Sequence, residues 1–98
     1  MNIAISKAKT ASIGMAVVRN SNHFGAASSH STRALARDMI GFSTTDGPGV
    51  NMVIFGTMSL SIGNNAFSYA IPAGEEPPIV LDMACGAGAA GKIGTAQM

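Results

Sequence analysis

The most constraining stretch runs from residue 15 to 45, where apolar and polar segments alternate on the scale of secondary structure. A short apolar run, Met15-Ala16-Val17-Val18, leads through Arg19 into a polar turn, Asn20-Ser21-Asn22-His23-Phe24-Gly25. Ala26 to Met39 then places Ala27, Ala34, Leu35 and Met39 at helical intervals, with Arg33 and Arg37 near its end, where cations suit the helix dipole. Ile40 to Thr45 is β-prone. Strand, helix, strand within about thirty residues predicts a βαβ unit with parallel neighbours and a right-handed crossover. The turn before that helix carries the chemistry. Amide groups at a helix N-terminus lack intrahelical partners and suit a phosphate or carboxylate. An imidazole beside them can hand a proton to a reacting oxygen near neutral pH. The plainer alternative is that Ser21 or Asn22 caps the helix and His23 is an ordinary turn residue.

Upstream, residues 2–12 place Ile3, Ala4, Ile5, Ala8 and Ala11 inward and Lys7 and Lys9 outward, the end of an amphipathic helix stopped by Gly14. Downstream, Asp46-Gly47-Pro48-Gly49 is turn chemistry, and Val50 to Phe55 is a short strand or a packed extended loop. Gly56-Thr57-Met58 and Gly63-Asn64-Asn65 punctuate the chain before a strand from Ala66 to Ile71 that ends at Pro72. Glu75-Glu76-Pro77-Pro78 forms an exposed turn into Ile79-Val80-Leu81-Asp82, and a link that short pairs its strands antiparallel. The sheet is therefore predicted to be mixed, with flanking helices, in an α/β fold. Residues 84–98 are rich in Ala and Gly and have the composition of a helix start.

Composition bears on what surrounds this unit. Of the 98 residues 47% are apolar and only 11% charged, well below the roughly one quarter usual for a soluble domain, so its faces call for cover by further chain or a partner subunit. A net charge of +1 with six scattered basic residues gives no electrostatic case for nucleic acid. No apolar stretch reaches the length of a membrane span, and the N-terminus lacks the charge and hydropathy pattern of a secretory signal. A single cysteine, Cys85, excludes an internal disulfide framework and fits a reducing cytoplasm; it is expected to be buried and inert. The seven methionines are expected to fill core space.

Among the remaining chemical candidates, His30 lies about 10 Å along a helix from His23, too far for a metal pair, and is expected to be a solvated helix residue. No metal site is expected. Asp82 ends a strand, a position that serves sites in open α/β sheets, and it equally suits capping of the next helix. Gly86-Ala87-Gly88-Ala89-Ala90-Gly91-Lys92 contains Gly-x-Gly-x-x-Gly after a strand, without the following helix, strand and acid that a dinucleotide fingerprint needs.

The motifs nonetheless resemble one family. Arg19-Asn20-Ser21-Asn22-His23-Phe24-Gly25-Ala26-Ala27 is similar to the signature of the malate/L-lactate dehydrogenase family of NAD(P)-dependent oxidoreductases, which is distinct from the Rossmann-type lactate and malate dehydrogenases. Met39-Ile40-Gly41, Ile62-Gly63-Asn64-Asn65 leading to Tyr69-Ala70-Ile71-Pro72, and Pro78 to Ala84 with Gly91-Lys92-Ile93 agree in order and spacing. The resemblance covers nearly the whole chain but only about the middle third of a family member. Residues 1–98 are thus expected to be a single partial domain, the central NAD(P)-binding portion of a longer dehydrogenase. It implies His23 as a catalytic residue, and His23, Phe24, Gly25, Ala26, Ala27, Gly47, Asp82, Met83 and Ala84 as contacts to NAD or NADP. It implies hydride transfer between nicotinamide and a 2-hydroxy or 2-oxo acid, in a homodimer with its site near the subunit interface. Gly63-Asn64-Asn65-Ala66 departs from the family's Gly-Thr-Asn-Pro, Ala90 replaces an arginine, and Gly56-Thr57 stands for Gly-Gly. The family's N-terminal Asp-Ser-His-Gly segment and C-terminal third have no counterpart in these residues, so the stretch alone is expected to lack turnover. The rival reading is a remnant that only packs against a partner or binds nucleotide weakly.

Overall fold

A computed structural model describes residues 1–47, 49–88, 92, 95 and 96. Its best-packed part is a three-stranded antiparallel sheet of β1 (Gly41–Thr44), β4 (Ala66–Ala73) and β5 (Glu76–Ala84), in the order β1-β4-β5. A second pair, β2 (Met52–Val53) with β3 (Leu60–Ile62), is also antiparallel. The described strands therefore form no parallel ladder. The antiparallel half of the expected mixed sheet is present; the parallel half, expected from a strand over residues 15–19, is not formed.

The correction has a local cause. Helix α1 (Asn2–Ala11) ends at Ser12 in the left-handed conformation, φ 66°, and the chain doubles back along the helix. A Cβ at Gly14 would collide with the Ala4 carbonyl, and Lys7 Nζ donates to the Met15 carbonyl at 3.2 Å. Met15, Val17 and Val18 stay exposed with no strand alongside. Apolar, β-prone residues make a strand only where a ladder partner exists.

The predicted β4–β5 hairpin is present, but the turn expected at Glu75-Glu76-Pro77-Pro78 lies earlier, and Glu76, Pro77 and Pro78 already belong to β5. Gly74, at φ 65°, and Glu75 make a two-residue turn between the paired Ala73 and Glu76. The strand expected to stop at Pro72 continues to Ala73, because Pro72 sits in a register irregularity between Ile71 and Ala73, where its missing N–H breaks no regular pair. Pro77 and Pro78 lie on β5 at the sheet edge, where proline is tolerated.

The segment expected to be one helix from Ala26 to Met39 is shorter and changes pitch. Helix α2 (Ser28–Ser31) passes into a 3-10 helix (Thr32–Arg37), which stops at Asp38 in the left-handed conformation. This segment lies on one face of the sheet, and the residues between them are all small. Ala27, Ala34 and Ala70 are the buried apolar residues, accompanied by buried Ser31 and Ser68. Gly41 permits the close approach: a Cβ there would collide with the Ser31 carbonyl oxygen and come within 3.0 Å of Ala34 Cβ.

The opposite face of the same sheet is large and apolar. Phe42 and Tyr69 pack with ring centroids 4.6 Å apart, and Tyr69 meets Phe67 edge-on at 6.4 Å. Ile79, Leu81 and Met83 are exposed, Ile79 to 63%. Met15 and Met58 are exposed too, so those methionines are not core filler as expected; the interior takes alanine and serine because the helix sits too close to admit them.

Gly41→Ala is expected to push the helical segment off the sheet, lowering stability by about 1–3 kcal/mol as overpacking does. Urea unfolding followed by circular dichroism reads this as a lower midpoint; an unchanged midpoint would count against the tight interface.

Candidate functional site

Three directly paired residues run across the sheet: Ser43 on β1 opposite Ser68 on β4, and Ser68 opposite Asp82 on β5. Paired residues project to the same face, here the face that carries α2. Ser43 Oγ donates to the Ala27 carbonyl at 2.6 Å, and Ser68 Oγ and Ser31 Oγ are 2.7 Å apart. The Ser28 amide donates to Asp82 Oδ2 at 2.9 Å. One polar row thus grips the start of the helix at three points. It joins Ala26-Ala27 to Asp82-Met83-Ala84, segments more than fifty residues apart in sequence.

Asp82 therefore does cap a helix, but the one before it. Hydrogen bonds from the Ser28 hydroxyl, the Ser28 amide and the Ala27 amide hold its carboxyl below the usual value of 3.8, against a smaller opposing effect of burial. The same contact corrects the expected anion cradle. The Ser28 amide is taken by Asp82, Ser29 N–H donates to the Ala26 carbonyl, and His30 and Ser31 N–H both donate to the Ala27 carbonyl. A protein carboxylate already occupies the positive end of the helix.

The turn before α2 has its own fixings. Asn20 and Gly25 adopt positive φ, 56° and 80°. The Gly25 amide donates to His23 Nδ1 at 3.0 Å, which places the proton of the neutral ring on Nε2. His23 is exposed, and among the described residues its ring makes no hydrogen bond to Asp82. His30 is not the solvated helix residue expected. It is half-buried, stacks on Phe24 at 5.2 Å between centroids and 5° between planes, and its Nε2 lies 2.9 Å from the Phe24 carbonyl oxygen. It ties the turn down onto the helix that follows.

Gly47 is reached through Asn65, which the sequence marked as punctuation and as part of a family-like motif but not as a site residue. Asn65 Oδ1 accepts from the Gly47 amide at 2.9 Å, and Asn65 Nδ2 donates to Asp46 Oδ1 at 3.0 Å. The Asn65 carbonyl accepts from Cys85 N–H at 3.1 Å, immediately after Ala84. Asn64 holds the next stretch, its Oδ1 accepting from Gly86 N–H at 2.6 Å and its Nδ2 donating to the Gly88 carbonyl at 3.0 Å. Gly47 is thereby fixed beside the end of β5. The signal available beforehand was the Asn-Asn pair next to glycine, side chains suited to bonding loop backbone. Cys85 is exposed rather than buried, since the chain leaves the sheet at that point. The glycine motif from Gly86 extends beyond the described residues at positions 89–91.

Among the described residues no three His, Cys, Asp or Glu side chains are placed to share a metal, and no helix is long and apolar enough to cross a membrane.

Residues 1–98 match the profile of the malate/L-lactate dehydrogenase family. The chain belongs to that family. An L-sulfolactate dehydrogenase of Methanocaldococcus jannaschii is 39% identical over 93 residues, which are 95% of this chain and 26% of that protein. A malate dehydrogenase of Pyrococcus horikoshii is 36% identical over 95% of this chain and 25% of its own length. A malate/(S)-sulfolactate dehydrogenase of Methanothermus fervidus is 34% identical, covering 95% and 27% respectively. The chain thus spans about a quarter of the length of these malate/L-lactate dehydrogenase relatives. No solved structure matches the chain.

A pH dependence follows from the Asp82 contact. The folded carboxyl titrates below the unfolded one, so its stabilisation is present above about pH 4 and is lost as pH falls through the lower folded value. Asp82→Asn is expected to lower stability near neutral pH and to flatten this acid limb in urea unfolding at pH 2–6. An unchanged acid limb would contradict the assignment.

Proposed function

We propose that residues 1–98 are the central, nucleotide-contacting portion of an NAD(P)-dependent dehydrogenase of 2-hydroxy acids, and that His23 to Ala27, Gly47 and Asp82 to Ala84 line its cofactor site. The observation that carries this reading is the Ser28–Asp82 hydrogen bond, which brings the first and last of those segments together. The donor set fits part of a dinucleotide. A carboxylate only accepts hydrogen bonds, so Asp82 suits ribose hydroxyls or a carboxamide NH₂ and repels phosphate. His23 Nε2–H suits an acceptor oxygen.

A bound nicotinamide would supply or take the hydride. In the reductive direction, the role of His23 is to start with a proton on each ring nitrogen and give the one on Nε2 to the oxo oxygen as the hydride arrives. It ends as the neutral ring with its proton on Nδ1. In the oxidative direction it takes the hydroxyl proton at Nε2 only in the other tautomer, with its own proton on Nδ1 and the Gly25 bond given up. The tie from His30 to the Phe24 carbonyl leaves the turn anchored while the His23–Gly25 bond breaks. A substrate with a 2-hydroxy acid group, in a cytoplasmic homodimeric parent enzyme, completes the reading.

The relatives' names and the shared motifs favour this over a remnant that only packs against a partner. Fluorescence titration of the whole 98-residue chain with NADH and NADPH separates the two. A saturable signal, weakened several-fold by Asp82→Asn, is expected; no saturable signal with either nucleotide would leave the packing remnant.

A further inference from the structure

Asp82 leaves the α2 N-terminus unable to take a phosphate, yet positive charge converges farther along the same helical segment. On α1, Asn2, Ser6 and Lys9 follow at intervals of four and three, which puts them on one helix face. Across from them the 3-10 helix presents Arg33 and Arg37, and the two surfaces enclose a cleft of about 350 Å³. Three of the chain's six basic side chains meet there, and no carboxylate lines the cleft. Among the described residues none of the three is neutralised by an ion pair.

Like charges that share a cleft repel one another, and an anion seated between them turns that repulsion into attraction. Arg33 Nε is engaged with the Ser29 carbonyl at 3.3 Å, which steers the guanidinium and leaves its terminal nitrogens to donate. The Asn2 amide and the Ser6 hydroxyl add neutral donors beside the cations.

We propose that this cleft binds a phosphate group, with Lys9, Arg33 and Arg37 as its charged donors. The phosphate is either that of a phosphorylated nucleotide or free orthophosphate. That it belongs to a cofactor rests on the dehydrogenase reading; that the cleft takes a phosphate does not.

The test is a two-dimensional NMR titration of the whole chain with inorganic phosphate, 2′,5′-ADP and NADH, at constant ionic strength set with chloride. Inorganic phosphate and 2′,5′-ADP are expected to shift Ser6, Lys9, Arg33 and Arg37 saturably, with the nucleotide binding tighter. A Lys9→Gln/Arg37→Gln variant is expected to bind both about tenfold more weakly, at two modest exposed charge contacts. The rest of its spectrum should match the parent, showing an intact fold. Equal affinity for the two phosphate probes upholds the cleft with free phosphate as its occupant. Unshifted cleft residues, or shifts that persist undiminished in the variant, overturn the proposal. Failure of NADH to shift His23 to Ala27 counts against the dehydrogenase reading alone, because NADH carries no 2′-phosphate.

Discussion

The hydroxyl pair Ser31–Ser68 is the interaction on which the rest of this structure depends. Both side chains are fully buried, and they are bonded to one another at 2.7 Å in an interface otherwise made of alanine and glycine. A buried hydroxyl without a partner costs about 1–3 kcal/mol, so this pair defines where the helix can sit. Moving the helix along the sheet would strand the Ser68 hydroxyl and leave Ser31 only its intrahelical contact to the Ser28 carbonyl. Lifting it away would also give up the contact that Gly41 permits. Ser31 Oγ also lies 3.4 Å from the Ser28 carbonyl, and in the 2.7 Å pair with Ser68 either hydroxyl can donate. Every buried side-chain polar atom among the described residues has a partner.

From that anchor the candidate site follows by geometry. Ser43, Ser68 and Asp82 share one row, so fixing the central pair also sets the Ala27 carbonyl over Ser43 and the Ser28 amide over Asp82. The segments proposed to line a cofactor site are held by this row on one side and by Asn65 on the other. The site's electrostatics then divide by element. The sheet end offers acceptors, the turn offers an imidazole N–H, and the cations gather on the outer side of the helical segment.

What was legible beforehand was local or linear. The flanking apolar runs marked the β4–β5 hairpin, though not its Gly74-Glu75 turn, and the apolar spacing of residues 2–12 marked α1, though Ile3 and Ala11 are exposed rather than inward. The family was legible because four motifs kept their order along the chain. The errors came where a residue's role depends on a distant partner. Residues 15–19 have strand propensity but run back along α1. Ser31 and Ser68, thirty-seven positions apart, look like surface residues until the sheet pairs them with the helix. Asp82 was read as ending its strand, but β5 continues to Ala84, and the helix it caps precedes it by more than fifty residues. His30 looked solvated because a helical wheel does not show that Phe24 folds back onto it.

The most direct measurement is a double-mutant cycle on Ser31→Ala and Ser68→Ala, read by urea unfolding. Ser31→Ala leaves the buried Ser68 hydroxyl without a partner and is expected to lower stability by about 1–3 kcal/mol. Ser68→Ala leaves Ser31 only the Ser28 carbonyl and should cost no more, and the double variant should lose clearly less than the two combined. Strictly additive losses would mean that the hydroxyls do not act as a pair, and that something other than the polar row seats the helix on the sheet.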